Sequence, residues 1–498
     1  MHYDLIIVGA GPAGLALAQC LRNTYKKILI IEKESVIGGC HRVLRVPING
    51  EDIFTEHSPR VYSGTYKTFD MLLKDMNTSF DSIYTQYKFS ITNIGNQTVF
   101  STLKFTEICK LAFQFFLLIL NDNHGVNISI GDYMKKSNFK KESIDLVDRL
   151  TRLTDGAGSD KYTLNEFLEL FNQQIFYKLY QPVLPNDKGL FKIWLEFLES
   201  NHIEFMLNTS VISINYDPKT NMATSVIVTD NSSSSTKIIT GDKIVLATPP
   251  QSFVNILKNS IDEVKNTFMH IDRLVTYAKN TAYLTYISMT FHWNEILKLP
   301  TVYGFPKSDW GIIFIVLTDY MKFEQSSSKT VISCTISYTD VKSSVTNKTA
   351  NEYNENEVED LKSEVFRQLK ESFPDIPTET ISLLTPEMTY NTTISKWESS
   401  GTAFITSAQE TFIPFVGQIP NLFNLGTQNG KQIYKLTTLE SAVTNAVYLS
   451  HIFHPNLKYV YKVQNIYTLS QLFLLIFIII IIIILILIYK RVSKRKNG

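Results

Sequence analysis

The amino-terminal segment YDLIIVGAGPAGLALAQCL constrains the fold most strongly, because it joins an apolar run to a glycine-rich turn. The run Leu5–Val8 lies between a polar start and a glycine, which is typical of a strand buried on both faces. Gly9, Gly11 and Gly14 complete the pattern G-x-G-x-x-G, and the apolar residues after them keep helical spacing. A strand, this turn and a helix predict the phosphate-binding start of an α/β dinucleotide-binding domain.

The three glycines have separate physical roles in such a turn. Gly9 makes the tight turn, Gly11 lets the backbone approach a pyrophosphate, and Gly14 lets the helix pack closely on the strand. The diphosphate would meet the free N–H groups at the helix N-terminus. A second apolar run, residues 28–31, ends at Glu32, whose carboxylate we expect to bind a ribose hydroxyl and to disfavour NADP by repelling its 2′-phosphate.

A second feature lies at the other end of the chain. Residues 472–489, LFLLIFIIIIIIILILIY, are apolar throughout and as long as a membrane-spanning helix. The basic sequence KRVSKRKNG follows as residues 490–498. We therefore predict a linker over residues 457–471, one transmembrane helix over 472–489 and a basic tail over 490–498.

Composition narrows the function classes. The chain has 498 residues, enough for two or three domains, and its net charge of +1 gives no bulk attraction to nucleic acid. The four cysteines are widely spaced and match no metal pattern, so we expect reduced thiols. No Ser/His/Asp or Cys/His constellation and no carboxylate pair stands out in the sequence.

Two patterns that imitate metal sites are discounted. The segment Asp155–Glu166 has the acidic ends of a calcium loop, but Asp160 stands where such a loop requires glycine. His451 and His454 have no convergent partners in the sequence. We predict no metal site. The apolar helix Lys104–Leu120 is too short to span a bilayer, and we interpret it as a core helix or as the wall of a greasy substrate cavity. In a tail-anchored protein we expect this helix to sit near the bilayer, where it could admit a lipophilic substrate.

The glycine pair Gly38-Gly39 follows the acidic residue at the spacing seen in one superfamily. The order strand, G-x-G-x-x-G, acid and G-G resembles the signature of the two-dinucleotide-binding flavoproteins, in which the second pair lets the chain pass close under the FAD diphosphate. The family's usual G-G-R reads Gly38-Gly39-Cys40 here, with a basic residue displaced to Arg42. The resemblance therefore implies that Arg42 or His41 takes the phosphate-facing role.

Later segments continue this resemblance in the family's order. NTSVISI, with Val211, resembles the strand that cradles the adenine, and GDKIVLATPP, residues 241–250, resembles the strand that returns to the FAD domain. Residues 421–446 resemble the C-terminal segment, in which Gly426 would approach the diphosphate, although the family's aspartate is Thr427 here.

The same C-terminal segment opens a helix at Leu439 and Glu440, whose N–H groups would face the flavin N1 and the C2 oxygen. The resemblance thus implies an FAD site formed by Gly9, Gly11, Pro12, Ala13, Gly14, Glu32, Lys33, Gly38, Gly39, His41, Arg42, Val211, Gly426, Thr427, Leu439 and Glu440.

Within the superfamily, the chain is most similar to the flavin-containing amine oxidases and phytoene desaturases. EHSPRVYSGTYKTF, residues 56–69, resembles the desaturase stretch that runs beneath the isoalloxazine, and UDP-galactopyranose mutases have a similar stretch. Residues 282–293 lack the lysine that amine oxidases place near flavin N5. Residues 396–404 lack the cysteine that attaches FAD, so we expect non-covalent FAD. The residues expected to contact substrate are His57, Arg60, Tyr62, Trp397 and Phe404.

The predicted fold class is α/β, with a Rossmann-type, two-dinucleotide-binding FAD domain interleaved with an α+β substrate domain and followed by the transmembrane helix. The active site would lie where the two domains join. We place the FAD domain in residues 1–80, 205–283 and 395–456, and the substrate domain in residues 81–204 and 284–394.

The resemblance implies an FAD-dependent oxidoreductase that transfers a hydride from a C–H bond of an amine or a lipophilic polyene to flavin N5. Two alternatives stay open: a non-redox flavoenzyme such as a UDP-galactopyranose mutase-like isomerase, and a non-catalytic membrane-anchored flavoprotein. The expected partners are a small or lipophilic substrate and a lipid bilayer, without nucleic acid. The oligomeric state is not specified by the sequence.

The order of segments predicts a tail-anchored protein with a cytosolic flavin domain. No signal peptide precedes the first strand, and a large domain emerges before the only long apolar segment. The basic tail opposes this orientation by the positive-inside tendency. The resemblance to monoamine oxidases, which hold themselves by a C-terminal helix, favours the outer mitochondrial membrane or another intracellular membrane.

We predict that the purified protein is yellow and releases intact FAD on acid or heat treatment, because no cysteine is present at the attachment position in residues 396–404. Absorbance of the supernatant after precipitation measures the released flavin. Flavin that stays with the denatured protein would contradict non-covalent binding, and a folded, colourless protein would contradict the cofactor itself.

Overall fold

The fold was analysed in a computed structural model of the chain. The structure describes residues 2–58, 60–87, 93–94, 97–155, 157–174, 176–283, 286–299, 308–323, 326–399, 404–405, 412–431, 437–459 and 466–496.

The described strands, in chain order, are β1 His2–Val8, β2 Ile28–Ile31, β3 Val43–Ile48, β4 Glu51–Glu56, β5 Tyr62–Ser63, β6 Tyr84–Tyr87, β7 Asn93–Ile94, β8 Gln97–Thr98, β9 Leu179–Pro182, β10 Glu204–Met206, β11 Thr209–Asp217, β12 Met222–Asp230, β13 Thr236–Leu246, β14 Ala282–Tyr283, β15 Ile287–Trp293, β16 Ile312–Val316, β17 Thr330–Ile336, β18 Ile381–Leu384, β19 Met388–Asn391, β20 Lys396–Ser399, β21 Phe404–Ile405 and β22 Leu422–Asn424.

The described α-helices are α1 Pro12–Leu21, α2 Lys67–Asp75, α3 Phe80–Ile83, α4 Val99–Thr102, α5 Phe105–Leu120, α6 Ile130–Lys136, α7 Lys141–Asp155, α8 Leu164–Gln174, α9 Leu190–Ser200, α10 Pro250–Lys258, α11 Asp262–Lys265, α12 Ile271–Asn280, α13 Val358–Ser372, α14 Leu439–Phe453 and α15 Leu469–Lys496.

A parallel sheet with the order β10-β2-β1-β13-β22 forms the centre of the nucleotide-binding part. Leu5 and Ile7 of β1 pack with α1, α9 and α14 on one face. Ile6 and Val8 pack on the other face with β11, β12, α10 and α12. Burial on both faces explains the unbroken apolar run at the start of the chain, and the predicted Rossmann-type strand, turn and helix are confirmed.

A second sheet lies in residues 284–394, which belong to the predicted substrate domain; we call this domain the substrate part. Its four antiparallel strands have the order β16-β17-β15-β18, and α13 packs on it in one apolar cluster. A separate cluster holds the helices α5 to α8 together. The strands of the two sheets thus alternate along the chain, since β15 to β18 lie between β13 and β22 of the parallel sheet.

Two predicted boundaries differ from the packing. Leu190, Trp194 and Leu198 of α9 are buried with α1 and α14, so α9 belongs to the core of the nucleotide-binding part. The boundary at residue 395 divides the hairpin of β19 and β20, in which Tyr390 pairs with Trp397. Hairpin pairing keeps β20 with the substrate part, because both strands of a hairpin share one packing face.

The C-terminal helix is longer than predicted. The helix α15 begins at Leu469 and continues to Lys496, so the basic tail extends the apolar helix instead of leaving it. Lysine and arginine have high helix propensity, which explains the continuation. The most apolar 18-residue window of Leu469–Arg491 has a mean hydropathy of 3.8 and none of it is buried, so this helix is long and apolar enough to cross a membrane.

Candidate functional site

A cavity of about 560 Å³ lies at the C-terminal edge of the parallel sheet and continues beneath the substrate part. This volume is within the range of roughly 300–1,000 Å³ that is typical of ligand sites. Of the residues predicted to hold the cofactor, the cavity is lined by Gly9, Gly11, Pro12, Ala13, Glu32, Lys33, Gly39, His41, Arg42, Val211, Gly426, Thr427 and Leu439.

The first glycine loop requires glycine at two positions. Gly9 has a φ of +109°, and a Cβ atom there would lie 2.5 Å from the carbonyl oxygen of Ala247 at the end of β13. A Cβ atom on Gly14 would lie 2.1 Å from the carbonyl oxygen of Gly9, so Gly14 lets α1 pack against the loop. Gly14 itself does not line the cavity, which agrees with a packing role.

Glu32 fixes the geometry of the same loop. Its carboxylate accepts a hydrogen bond from the Ala10 amide at 2.7 Å and one from the Glu34 amide at 3.1 Å. Burial raises the pKa of Glu32, and these two amide donors oppose that rise. The carboxylate therefore stands at the cavity wall and holds the loop at the same time.

The pair Gly38-Gly39 meets the first loop directly. Gly38 has a φ of +119°, and a Cβ atom there would lie 2.8 Å from the Phe191 ring of α9. Gly39 has a φ of +57°, and a Cβ atom there would lie 3.1 Å from the Cα atom of Gly11. The Gly38 amide also donates to the Ala10 carbonyl at 2.9 Å. Two glycines are needed here because the backbone turns left-handed while it passes over the first loop.

Arg42 is the buried positive charge beside this loop. Its side chain is 4% exposed, donates to the Gly39 carbonyl at 2.9 Å and lies 3.0 Å from the carboxylate of Glu387. Burial, together with the nearby Arg60 charge, lowers the pKa of His41 well below its ordinary value. Of the two candidates for the phosphate-facing role, Arg42 carries a charge at neutral pH and His41 does not.

The C-terminal segment closes the cavity beneath the sheet. The side-chain oxygens of Thr248 and Thr427 are buried at the cavity and have no hydrogen-bond partner among the described residues. A Cβ atom on Gly426 would lie 2.1 Å from the side-chain oxygen of Gln428, so a larger residue here would have to displace the Gln428 side chain. Unpaired buried hydroxyls at a cavity wall are ready to bind a polar ligand.

The side chain of Glu440 does not face the cavity. Its carboxylate accepts the amide hydrogens of Thr68 and Phe69 at 2.7 and 2.9 Å, at the N-terminus of α2. Burial raises the pKa of Glu440 to about 7, against these two hydrogen bonds. Glu440 therefore joins α14 to α2, because the first amides of α2 need an acceptor that the helix itself does not supply.

Of the residues predicted to contact substrate, only Arg60 lines the cavity among those whose side chains the structure describes. Arg60 lines the cavity, whereas His57 and Tyr62 are almost completely buried behind it. Trp397 is wrong as a cavity residue: its indole N–H donates to the Tyr353 carbonyl at 2.8 Å inside the core of the substrate part. Its large ring fills that core because β20 pairs with β19. The side chain of Phe404 lies outside the described residues.

A buried network links the two parts of the molecule at His57. The Glu387 carboxylate lies 3.0 Å from Arg42 and 3.2 Å from Nδ1 of His57, and the Ser399 hydroxyl is 3.1 Å from the same nitrogen. Burial opposes ionisation of Glu387, but the His57 hydrogen bond and the Arg42 charge outweigh it, so the pKa of Glu387 lies below its ordinary value. Sequence analysis did not identify Glu387, because its partners Arg42 and His57 are hundreds of residues away along the chain.

The part of the cavity beneath the substrate part was also missed by sequence analysis. Its walls are mainly apolar or neutral, and Arg60 and Arg152 are the charged residues among those that the structure describes there. The carboxylate of Asp148 holds Arg152 at 2.9 Å from behind. The further residues that line this end are Ser58, Val61, Leu153, Thr154, Tyr286, Ile313 and Thr335.

These features fit a dinucleotide such as FAD. Two interlocked glycine loops leave backbone open to a diphosphate, Arg42 supplies a positive charge, and Glu32 supplies a carboxylate for a ribose. The residues that the structure describes contain no group of histidines, cysteines and carboxylates arranged to hold a metal ion. Glu166, the end of the discounted calcium pattern, instead accepts hydrogen bonds from the Thr163 amide and hydroxyl at 2.7 and 2.8 Å.

Comparison with known proteins supports this interpretation of the sheet and loops. Residues 7–75 match the family model of an NAD(P)-binding Rossmann-like domain. The UDP-galactopyranose mutase of Mycoplasma genitalium (strain ATCC 33530) is 36% identical over 67 residues, which are 13% of this chain and 16% of that protein. These matches concern a minor part of each chain.

Solved structures extend the likeness to nearly the whole chain. Putrescine oxidase bound to putrescine is 12% identical and aligns with 92% of this chain and 100% of its own, with a TM-score of 0.62. A candidate protoporphyrinogen oxidase from Exiguobacterium sp. 255-15 is 15% identical over 90% of this chain and 98% of its own, with a TM-score of 0.57. At such low identity the likeness shows the fold, and it confirms the predicted α/β architecture.

We predict that Gly39→Ala strongly reduces the flavin content, because the new Cβ atom would push against the Cα atom of Gly11. Gly50→Ala is the matched control: Gly50 also has a positive φ, of +83°, but a Cβ atom there meets nothing within 4 Å. Both variants share the left-handed backbone strain of about 1–2 kcal/mol. The flavin-to-protein absorbance ratio, measured on folded protein, compares them. Equal flavin content in the two variants would contradict a cofactor held between the loops.

Proposed function

We propose that this protein is an FAD-dependent oxidoreductase of the amine oxidase and desaturase type that acts on a lipophilic substrate. The observation that carries the proposal is one continuous cavity, which begins at two interlocked glycine loops and ends against apolar side chains of the substrate part. The likeness in fold to putrescine oxidase and to a candidate protoporphyrinogen oxidase supports the same reaction class.

When bound, FAD would supply the redox chemistry, namely hydride acceptance from a substrate C–H bond, with oxygen or another acceptor as the final oxidant. The chain supplies binding, orientation and exclusion of water. Arg42 would offset diphosphate charge, Glu32 would bind the adenosine ribose, and the first amides of α14 would stabilise negative charge on the flavin. The unpaired hydroxyls of Thr248 and Thr427 would be available to donate hydrogen bonds to the cofactor.

The substrate end of the cavity favours the lipophilic class over amines. Its described charged lining residues, Arg60 and Arg152, are both cations. The Asp148 carboxylate beside Arg152 is paired with that arginine and does not line the cavity, so no described carboxylate faces a protonated amine there. The apolar side chains Val61, Leu153 and Ile313 suit a hydrocarbon chain or ring instead. A polyene-like substrate therefore fits this end better than a diamine such as putrescine.

One alternative is a non-redox flavoenzyme such as a UDP-galactopyranose mutase-like isomerase, which the partial match to the Mycoplasma genitalium enzyme favours. Arg60 and Arg152 would then face the diphosphate of a nucleotide sugar. The other alternative is a non-catalytic flavoprotein held at a membrane. The three possibilities predict different ligands for the same cavity.

We expect the FAD-bound protein to bind 1-octanol at least tenfold more tightly than octylamine at neutral pH. The change in flavin absorbance during titration gives the two dissociation constants. Arg60→Gln should reduce the ratio of the two dissociation constants, because it removes a positive charge that repels the ammonium group of octylamine. UDP-galactose in place of 1-octanol tests the mutase-like alternative. Tighter binding of octylamine would contradict the lipophilic class, tight binding of UDP-galactose would favour the isomerase, and binding of none would favour the non-catalytic flavoprotein.

We further propose that α15 anchors the protein in an intracellular membrane, with the flavin domain in the cytosol. The apolar length of α15 supports the anchor, and the folded domain that precedes it supports the orientation. The resemblance to monoamine oxidases favours the outer mitochondrial membrane, and other intracellular membranes are compatible with the same helix.

Protease added to sealed membranes should digest the flavin domain and spare only a short C-terminal fragment. An immunoblot with an antibody against the C-terminal tail detects that fragment, and detergent-opened membranes provide the control. Full protection of the flavin domain, or glycans on Asn77 or Asn391, would reverse the orientation.

A further inference from the structure

The helix α5 presents an apolar stripe to the outside of the molecule. Phe105 is 80% exposed, Phe113 58%, Phe116 51% and Leu120 68%, and Cys109 is exposed between them. These residues recur every three or four positions, so they share one face of the helix. Sequence analysis interpreted this helix as core or cavity wall, and the structure corrects that interpretation for its outer face.

The inner face of α5 is firmly packed, so the outward stripe is a fixed surface. Glu107 is buried and accepts hydrogen bonds from the Lys140 amide at 2.7 Å and the Ser143 hydroxyl at 2.8 Å. Leu118 is 2% exposed in the cluster of α5 to α8. The helix therefore cannot bury its stripe by rotation without breaking the Glu107 contacts.

The stripe is continuous with the base of the membrane helix. The ring of Phe115 on α5 contacts the ring of Phe473 on α15, with centroids 6.0 Å apart. The Ser470 amide of α15 donates to the side-chain oxygen of Asn172 on α8 at 2.8 Å. The part of α15 that would enter a bilayer thus begins directly beside α5.

Basic residues flank the same surface. Lys110 of α5 donates to the Ser137 carbonyl at the end of α6, which brings the exposed Lys135 and Lys136 close to α5. Exposed lysines beside an apolar face are typical of helices that lie in the interface of a bilayer, where the ammonium groups meet phosphates and the apolar side chains enter the acyl region.

We propose that α5 lies in the interface of the bilayer that α15 spans, with Phe105, Cys109, Phe113, Phe116 and Leu120 inserted below the headgroups. The proposal rests on the proposed anchoring by α15 and goes beyond the proposed reaction. Its occupant is the lipid itself, because the stripe adjoins the membrane helix and carries flanking cations.

This placement also connects the bilayer to the cavity. Leu153, Tyr286 and Ile313 line the substrate end of the cavity and belong to the same apolar cluster as the inner face of α5. One apolar cluster therefore extends from the inner face of α5 to the substrate end of the cavity.

The test uses the native Cys109 thiol in the full chain. A nitroxide on Cys109, with the protein in phosphatidylcholine and phosphatidylserine nanodiscs, reports accessibility to oxygen and to a water-soluble nickel chelate. We expect several-fold greater relaxation by oxygen than by nickel, as for a label at Ile480→Cys in the middle of α15. A label at Ser232→Cys, on the exposed hairpin between β12 and β13, should show the reverse. Both comparison labels are made in Cys109→Ser, which also gives the background from other thiols.

Two further measurements keep the outcomes separate. Phe113→Glu should raise the nickel accessibility of the Cys109 label while the flavin content stays unchanged. Nickel accessibility at Cys109 equal to that at Ser232→Cys would overturn the proposal, and spin–spin broadening between Cys109 labels would assign the stripe to a second copy instead. A water-exposed label at Ile480→Cys would overturn the anchoring on which the proposal rests, whereas loss of flavin would bear on the proposed function alone.

Discussion

Two glycine loops that pass within contact distance of each other set the geometry of the whole nucleotide-binding part. Gly39 lies against Gly11, and the Gly38 amide bonds to the Ala10 carbonyl, whose own amide is held by Glu32. The strands β1 and β2 must therefore end at the same level, because each delivers one loop to this contact. The cavity opens where the loops meet, and its position follows from theirs.

Charge buried around Arg42 ties this contact to the substrate part. Glu387, which directly precedes β19, pairs with Arg42 and with His57, so the cofactor loop and the substrate part share one polar network. Desolvation of the two charges cancels much of the attraction in a buried ion pair, so the main effect of this pair is to orient the side chains. Removing Glu387 would leave the buried Arg42 without its closest carboxylate, and the loop that carries Gly39 would lose its contact with the substrate part.

The apolar cluster of α5 to α8 gives the cavity its other end. Leu153 and Ile313 face the cavity from this cluster, while the outer face of α5 carries exposed aromatic side chains beside the base of α15. The same cluster thus borders the cavity on one side and carries an exposed apolar surface on the other. A lipophilic substrate and a membrane anchor are consistent with each other in this arrangement.

The sequence by itself determined the local features: the strand, glycine turn and helix at residues 5–21, the acid at Glu32, the second glycine pair and the length of the apolar C-terminal helix. Each depends on neighbouring residues, so spacing was enough to predict it. Only the tertiary structure decided that Trp397 packs in a core, that Glu440 binds the amides of α2, that Glu387 pairs with Arg42 and that α5 exposes its stripe. Those outcomes depend on which distant segments meet, and no periodicity along the chain records that.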